Sequence, residues 1–278
     1  MKIARTVSAV RSYPRVLGES LVLVPTMGAL HHGHAELLRY ARRLAGKKGK
    51  VVASIFVNPT QFGPKEDFSR YPRPWKNDLK ACRDAGVDLV FAPSAGEMYF
   101  DDRSVFIDES TLSRNLCGAS RGGHFRGVCT VVAKLFLIVQ PEIAVFGEKD
   151  WQQLAIIRRM VRDLNFPVKV VGHPTVREAD GLATSSRNAY LTPEERQLAP
   201  QINQALRQAS SGATAGQILK TGRRLLGKIP GARVDYLELV DAENLADVTK
   251  LKGPMRLATA VFLGKTRLID NIPVAGRT

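Results

Sequence analysis

The sequence predicts an α/β fold, a Rossmann-like parallel sheet with helices on both faces, followed by a smaller C-terminal α+β domain. Three observations carry this. Short apolar, β-branched runs alternate with stretches of helical spacing from residue 20 to about residue 171, the pattern of a parallel sheet with right-handed crossovers. The first of these runs feeds a glycine-bearing turn that opens a helix, Pro25 to His34. After about residue 175 the alternation stops, and helices are followed by strands joined by tight turns. The expected domains are therefore residues 1–175 and 176–278.

Taken in order, residues 4–12 read as a short surface helix. Ser20–Pro25 is the first strand. His34 to about Leu44 is a helix with Leu37, Leu38 and Ala41 on its inner face. Val51–Val57 is β-branched and apolar enough to be buried on both faces. Arg73-Pro74 to Ala85 is the next helix, and Val87–Ala92 the next strand. Val128–Val139 reads as a buried helix, Ile143–Phe146 as a strand, Trp151–Leu164 as a helix and Val168–Val171 as a strand. Ligands of such a sheet gather beyond the carboxyl ends of its strands. In the C-terminal part, Thr192-Pro-Glu-Glu195 has the form of a capping box. Thr214–Leu226 is a helix, and Val234–Val240, Arg256–Leu263 and Thr266–Ile269 are strands. Gly264-Lys265 joins the last two as a hairpin turn.

Length and composition narrow the class. At 278 residues with 44% hydrophobic side chains the chain can bury one large domain plus a smaller one. No apolar run reaches the length of a membrane span, and the N-terminus lacks an apolar signal core. Three cysteines, Cys82, Cys117 and Cys129, show no CxxC spacing, which points to a reducing, cytoplasmic setting. The net charge is +15 but is spread evenly: 28 basic and 18 acidic residues in 1–187, 13 and 8 in 188–278. Such a field favours small anionic ligands. Basic residues are not interleaved with aromatic platforms, so an RNA-binding module ranks low.

The turn Pro25-Thr26-Met27-Gly28-Ala29-Leu30-His31-His32-Gly33-His34 reads as a phosphate site. Gly28 and Gly33 let backbone approach a ligand. A helix beginning near Gly33 puts His31 and His34 on one side of its first turn, where free amides and the helix dipole favour an anion. A zinc pair would need i, i+4 spacing and a third ligand, and none is nearby. Asn58-Pro-Thr-Gln61-Phe62 is either a plain turn or a place where the Gln61 amide meets a small polar substrate. Asp78 is a candidate magnesium ligand or a surface helix acid. Arg121-Gly-Gly-His124-Phe-Arg126-Gly127 reads as a basic, glycine-rich loop over the site, in which His124 could equally cap a helix or sit in the core. In Phe146-Gly-Glu-Lys149-Asp150-Trp-Gln-Gln153, Asp150 and Gln153 fit a capping box, while Gly147 and Lys149 at a strand end fit a phosphate. Ser185-Ser186-Arg187-Asn188 offers two hydroxyls and a guanidinium to phosphates, or is a plain turn.

His31-His-Gly-His34 is similar to the HxGH signature of nucleotidyltransferases and class I aminoacyl-tRNA synthetases. The longer string VPTMGALHHGH resembles the pantoate–β-alanine ligase family, whose usual string is PTMGALHEGH. NPTQF, FGEKDWQQL and READGLATSSRN follow in the family's order, so the resemblance covers nearly the whole chain. It implies that pantoate and ATP give pantoyl adenylate and pyrophosphate, after which β-alanine displaces AMP. It implies ATP as co-substrate, Mg2+, a homodimer, and neither nucleic acid nor membrane as partner. Pro25 to His34, Gly147, Glu148, Lys149, Asp150, Val176, Thr184, Ser185, Ser186 and Arg187 would hold ATP. Met27, Asn58, Gln61, His124 and Gln153 would hold the small substrates. His31, His34, Lys149, Ser185, Ser186 and Arg187 would stabilise charge on phosphate oxygens, and Asp78 would be the metal candidate. The departures are His32 for Glu, Thr60 for Leu or Met, Asn77-Asp78 for paired acids, Trp151 for Tyr, Ala179 for Pro and Thr184 for Met or Leu. The nearest rival is another HxGH nucleotidyltransferase or a synthetase-like protein acting on tRNA.

Overall fold

The computed structural model describes residues 1–14, 18–64 and 66–276. In chain order its elements are β1 (Lys2–Ala4), α1 (Val7–Arg11), β2 (Leu21–Thr26), α2 (His32–Ala45), β3 (Lys50–Ile55), α3 (Trp75–Asp84), β4 (Leu89–Phe91), α4 (Ala95–Met98), α5 (Cys117–Ser120), α6 (His124–Val139), β5 (Ile143–Gly147), α7 (Trp151–Asp163), β6 (Lys169–His173), α8 (Pro193–Leu198), α9 (Pro200–Ala209), α10 (Ala215–Leu226), β7 (Ala232–Asp241), β8 (Met255–Leu263) and β9 (Thr266–Val274), with short 3-10 turns at Pro59–Gln61, Glu148–Asp150 and Ser186–Tyr190.

The chain divides into two compact units. The first holds Met1–Ser110, Arg121–Glu148 and Ile156–Pro174; the second holds Thr111–Ser120, Lys149–Ala155 and Thr175–Thr278. A boundary at residue 175 is thus crossed by two short segments, 111–120 and 149–155, that count with the C-terminal unit. The first unit is a six-stranded parallel sheet in the order β1-β4-β3-β2-β5-β6. Its core is Val22, Val24, Val51, Ala53, Val90 and Val145 from the strands, covered by Leu38, Ala41, Leu79 and Cys82 from α2 and α3. The inner face expected for the first helix is the one it buries, with Leu37 packing at the margin. The second unit carries the antiparallel sheet β7-β8-β9, with the hairpin pairing Leu263 to Thr266. Ile202, Leu206, Ile218 and Leu226 of α9 and α10 pack against Leu239, Leu257 and Val261 of this sheet. The Thr192–Glu195 capping box is present, each residue bonding the other's backbone amide at 3.2 and 3.0 Å.

Three expectations are corrected. The short helix expected over residues 4–12 is Val7–Arg11, but it is preceded by an unexpected edge strand, Lys2–Ala4, paired in parallel to Leu89–Phe91 and too short to show a period in sequence. Residues 121–127 are not a loop throughout, because His124 already begins α6 behind Gly123 at φ +78°. The last strand runs past Ile269, out to Val274, and α9 was not anticipated.

Candidate active site

The sheet opens where its winding reverses. β3 and β4 follow β2 on one side, and β5 and β6 lie on the other, so the β2/β5 neighbours mark the switch point where such sheets hold ligands. Along β2, Thr26 faces β3, its carbonyl accepting from Phe56, whereas Leu21 faces β5, its carbonyl accepting from Glu142. Pro25 is in phase with Leu21 and has no N–H to give. The β2–β5 pairing stops at Leu23–Ala144, although both strands continue, to Thr26 and Gly147. The two loops that leave this gap are the ones the sequence singled out.

The turn after β2 is built around an internal anion. Asp78 of α3 is 1% exposed, and its oxygens accept the amides of Ala29 (3.0 Å) and Leu30 (2.7 Å). Gly28 and Ala29 both have left-handed backbone, φ +80° and +51°. A Cβ on Gly28 would lie 2.9 Å from the Asp78 carboxylate. The close approach that this glycine permits is therefore to Asp78, which also takes the amides of Ala29 and Leu30. Burial pushes the Asp78 carboxyl above its usual range, against the two amide bonds that pull it down. Asp78 is thus no surface acid, and with both oxygens bonded to amides it does not fit a dedicated magnesium ligand. Among the described residues no three His, Cys, Asp or Glu side chains form a metal-holding group. Thr26 is also turned inward, its hydroxyl donating to the Ser54 carbonyl at 2.6 Å and accepting from the Gly28 amide.

What the turn presents outward is imidazole. His31 is the N-cap of α2 and its Nδ1 accepts from the Gly33 amide at 3.1 Å; His34 Nδ1 accepts from the His31 amide at 3.4 Å. The helix amides expected to be open to a phosphate are thus engaged by a histidine capping box. An Nδ1 that accepts a backbone N–H carries a lone pair, so the ring proton of each neutral histidine sits on Nε2. The ring centroids are 4.1 Å apart and the ring planes tilted by 38°. His32 is exposed at the first helical position.

Across the same unit, the 3-10 turn Pro59–Gln61 is held by Asn58. The Asn58 amide donates to Gln61 Oε1 (3.1 Å) and to the Gly127 carbonyl (3.1 Å), and its oxygen accepts from the Tyr99 hydroxyl (2.8 Å) and the Thr60 hydroxyl (2.9 Å). Asn58 is 1% exposed. Its side-chain donors are engaged inside the protein, one of them on Gln61. Gln61 donates to the Met27 sulfur at 3.2 Å, so these two expected substrate residues are brought together. His124 is buried, with Nδ1 against the Gln61 carbonyl (2.8 Å) and Nε2 against Arg121 Nη1 (3.0 Å). Both ring nitrogens are engaged within the protein.

Arg121 is in turn bonded to both oxygens of Glu66, at 2.6 and 2.8 Å. Burial alone would raise the Glu66 carboxyl, but the hydrogen bonds and charge of Arg121 outweigh it and hold it below the usual range. A carboxylate lowered on folding stabilises fully above its unfolded value and loses that contribution as pH falls through its folded value. Urea unfolding from about pH 7 to about pH 3 should therefore show a shallower acid loss for Glu66→Gln than for the native chain. Equal slopes would discount the pair.

In the second unit, Lys149, Ser185, Asn188 and Asp270 line one small cavity. The Lys149 carbonyl accepts from Asn271 (2.9 Å), and Arg177 is bidentate to Asp270 at 2.8 and 2.9 Å. Thr184 closes the loop against Val176, with both its amide and its hydroxyl on the Val176 carbonyl. Ser185 Oγ accepts from the Arg187 amide, which opens the 3-10 turn bearing Ser186 and Arg187. The helix after Lys149 is entered from the 3-10 turn Glu148–Asp150, and Asp150 is exposed. Trp151 donates to the Ala242 carbonyl at 2.9 Å and lies under the Arg256 guanidinium. Gln152 is spent on the Cys117 amide and the Leu112 and Asn115 carbonyls; its neighbour Gln153 is half-exposed.

Comparison with known proteins matches residues 2–273 to the family model described as pantoate-beta-alanine ligase. The chain belongs to the pantoate–β-alanine ligase family. It is 55% identical over 258 residues to a pantothenate synthetase of Akkermansia muciniphila, covering 91% of this chain and 92% of that one. It is similar to the crystal structure of the pantothenate synthetase of Thermus thermophilus, with a TM-score of 0.93 and 48% identity over 99% of this chain and 100% of that one. A Francisella tularensis pantoate-beta-alanine ligase, solved with beta-gamma ATP and β-alanine, matches at a TM-score of 0.81 and 33% identity over 98% and 97% of the two chains.

As a pantoate–β-alanine ligase the chain is an enzyme that joins its substrates with ATP. Its cysteines suit that chemistry, which needs no thiol nucleophile. All three are unpaired and buried, and burial pushes the Cys82 and Cys129 thiols up to about 12. Sequence reasoning missed the pairing of Glu66 with Arg121, because nothing local marks an acid and a base 55 residues apart as a pair. It missed the internal role of Asp78 for the same reason.

Proposed function

We infer that this ligase activates pantoate by attack of its carboxylate on the α-phosphate of ATP, releasing pyrophosphate. β-Alanine then displaces AMP to give pantothenate. The observation that carries the reading is the pair of neighbouring imidazoles, His31 and His34, each fixed through Nδ1 by a backbone amide at the sheet's switch point. They can stabilise developing charge on phosphate oxygens without reorganising. The substrate carboxylate is the nucleophile, so the protein's work is alignment and charge stabilisation. Lys149, Ser185, Ser186 and Arg187 are the further phosphate donors. Gly147, Glu148, Asp150 and Val176 are assigned to the nucleotide, and Met27, Gln61 and Gln153 to pantoate and β-alanine. The Ser185–Asn188 turn closes on ATP.

Magnesium would arrive with the nucleotide, held by phosphate oxygens and water rather than by a protein cage. Tight Mg2+ uptake without ATP in flow dialysis would oppose that. The chain is assigned to the cytoplasm as a homodimer; no helix among the described residues is long and apolar enough to cross a membrane. Sedimentation equilibrium tests the dimer. The function itself is tested by ATP–pyrophosphate exchange. Exchange should require pantoate and stop when pantoate is omitted. Exchange supported equally by an amino acid would favour the synthetase-like alternative.

A further inference from the structure

We propose that Arg121, held by Glu66, is a positioning residue that locks His124 as the neutral Nδ1–H tautomer, and that through this lock it sets the backbone of Gln61 in the pantoate pocket. The proposal rests on the assignment of Gln61 to substrate.

The polar contacts form a closed circuit. The Gly63 amide donates to Glu66 Oε2 (3.2 Å) and the Glu66 amide to the Gly63 carbonyl (3.0 Å). Glu66 orients Arg121 with two hydrogen bonds; Arg121 Nη1 reaches His124 Nε2, and His124 Nδ1 reaches the Gln61 carbonyl. Gln61 and Gly63 are two residues apart, so the path returns to its origin. Arginine has donors only. The Nε2 atom it contacts must therefore accept, and the ring proton must sit on Nδ1, where it donates to the Gln61 carbonyl. This is the opposite tautomer from that of His31 and His34. A proton on Nε2 would set N–H against N–H.

The backbone beside this contact has no slack. A Cβ on Gly127, one turn along α6, would lie 2.3 Å from the Thr60 carbonyl oxygen and 2.7 Å from the Gln61 nitrogen. Asn58 adds its bond to the Gly127 carbonyl at 3.1 Å. The 3-10 turn therefore lies against the first turn of α6, and His124 decides where its last carbonyl, and so the Gln61 side chain, is held. A misplaced Gln61 weakens pantoate binding without touching ATP.

Asparagine places an N–H near the Nδ1 position of histidine, and glutamine near the Nε2 position. His124→Asn should keep the pantoate KM within about threefold of native, whereas His124→Gln and Arg121→Leu should raise it about tenfold, the loss of roughly one hydrogen bond's worth of binding. The ATP KM should hardly move in any of the three. In the His124→Asn background, Arg121→Leu should lose most of its effect, because asparagine needs no tautomer lock. Nitrogen-15 spectra of histidine-labelled protein should show His124 protonated at Nδ1 in the native chain and a mixture in Arg121→Leu. A native Nε2–H signal for His124, or glutamine rescuing where asparagine does not, overturns the proposal. A confirmed Nδ1–H signal with unchanged pantoate KM in Gln61→Ala would instead overturn the assignment of Gln61, leaving the lock itself standing.

Discussion

His34→Ala is expected to slow formation of pantoyl adenylate by about 10²–10³-fold, the usual loss for one donor aimed at developing charge. Charge grows on the α-phosphate oxygens as pantoate's carboxylate attacks. A donor contributes there in proportion to how little it must reorganise. The His34 ring is held by the His31 amide on its Nδ1 and by its neighbour's ring at 4.1 Å, so its Nε2–H is aimed before ATP arrives. Aminolysis of supplied pantoyl adenylate needs far less of this, because AMP leaves an already activated acyl group. That half-reaction should fall much less. His34→Gln, which keeps an N–H near Nε2, should recover part of the adenylation rate. Alanine also removes half of the capping box, worth about 1 kcal/mol of stability, so a small fall in Tm is expected alongside. Rapid-quench measurement of each half-reaction separates the effects; equal losses in both would sink the assignment of His34 to adenylation.

Asp78→Ala should cost about 2–5 kcal/mol of stability and most of the activity, although Asp78 touches neither substrate in this reading. Its carboxylate accepts both the Ala29 and the Leu30 amide. Removing it strands two N–H groups beside a turn whose Gly28 and Ala29 are already left-handed at φ +80° and +51°. Ala29 gains nothing from that conformation by itself, and the turn should relax away from it, carrying His31 with it. Asp78→Asn should recover only part, since an amide can accept one of the two bonds and turns its own N–H groups toward the other. Urea titration and the adenylation rate check both halves. An alanine variant of native stability and rate would show that the turn holds itself.

Much of this enzyme was legible in one dimension. Signals carried by neighbours in the chain translated well: the β-branched runs became strands, the Leu38–Ala41 stripe became the buried face of α2, and Thr192–Glu195 became the capping box they spell. Short or aperiodic pieces did not. Lys2–Ala4 is a strand only because β4 lies beside it, and His124 begins a helix rather than lying in a loop because Gly123 supplies the left-handed entry.

By itself the sequence determined most of the element order and the residue types that can meet a phosphate, since these follow from period and spacing along the chain, and its motif strings carried the resemblance to the family. Tertiary structure alone decided which anion fills the turn after β2, where the sheet splits, and which ring nitrogen of His31 and of His34 accepts a backbone amide. The reason is physical: a buried hydrogen bond is set by whichever partner the fold delivers. The partners here are 49 residues apart for Asp78 and Ala29, 55 for Glu66 and Arg121, and 63 for His124 and Gln61.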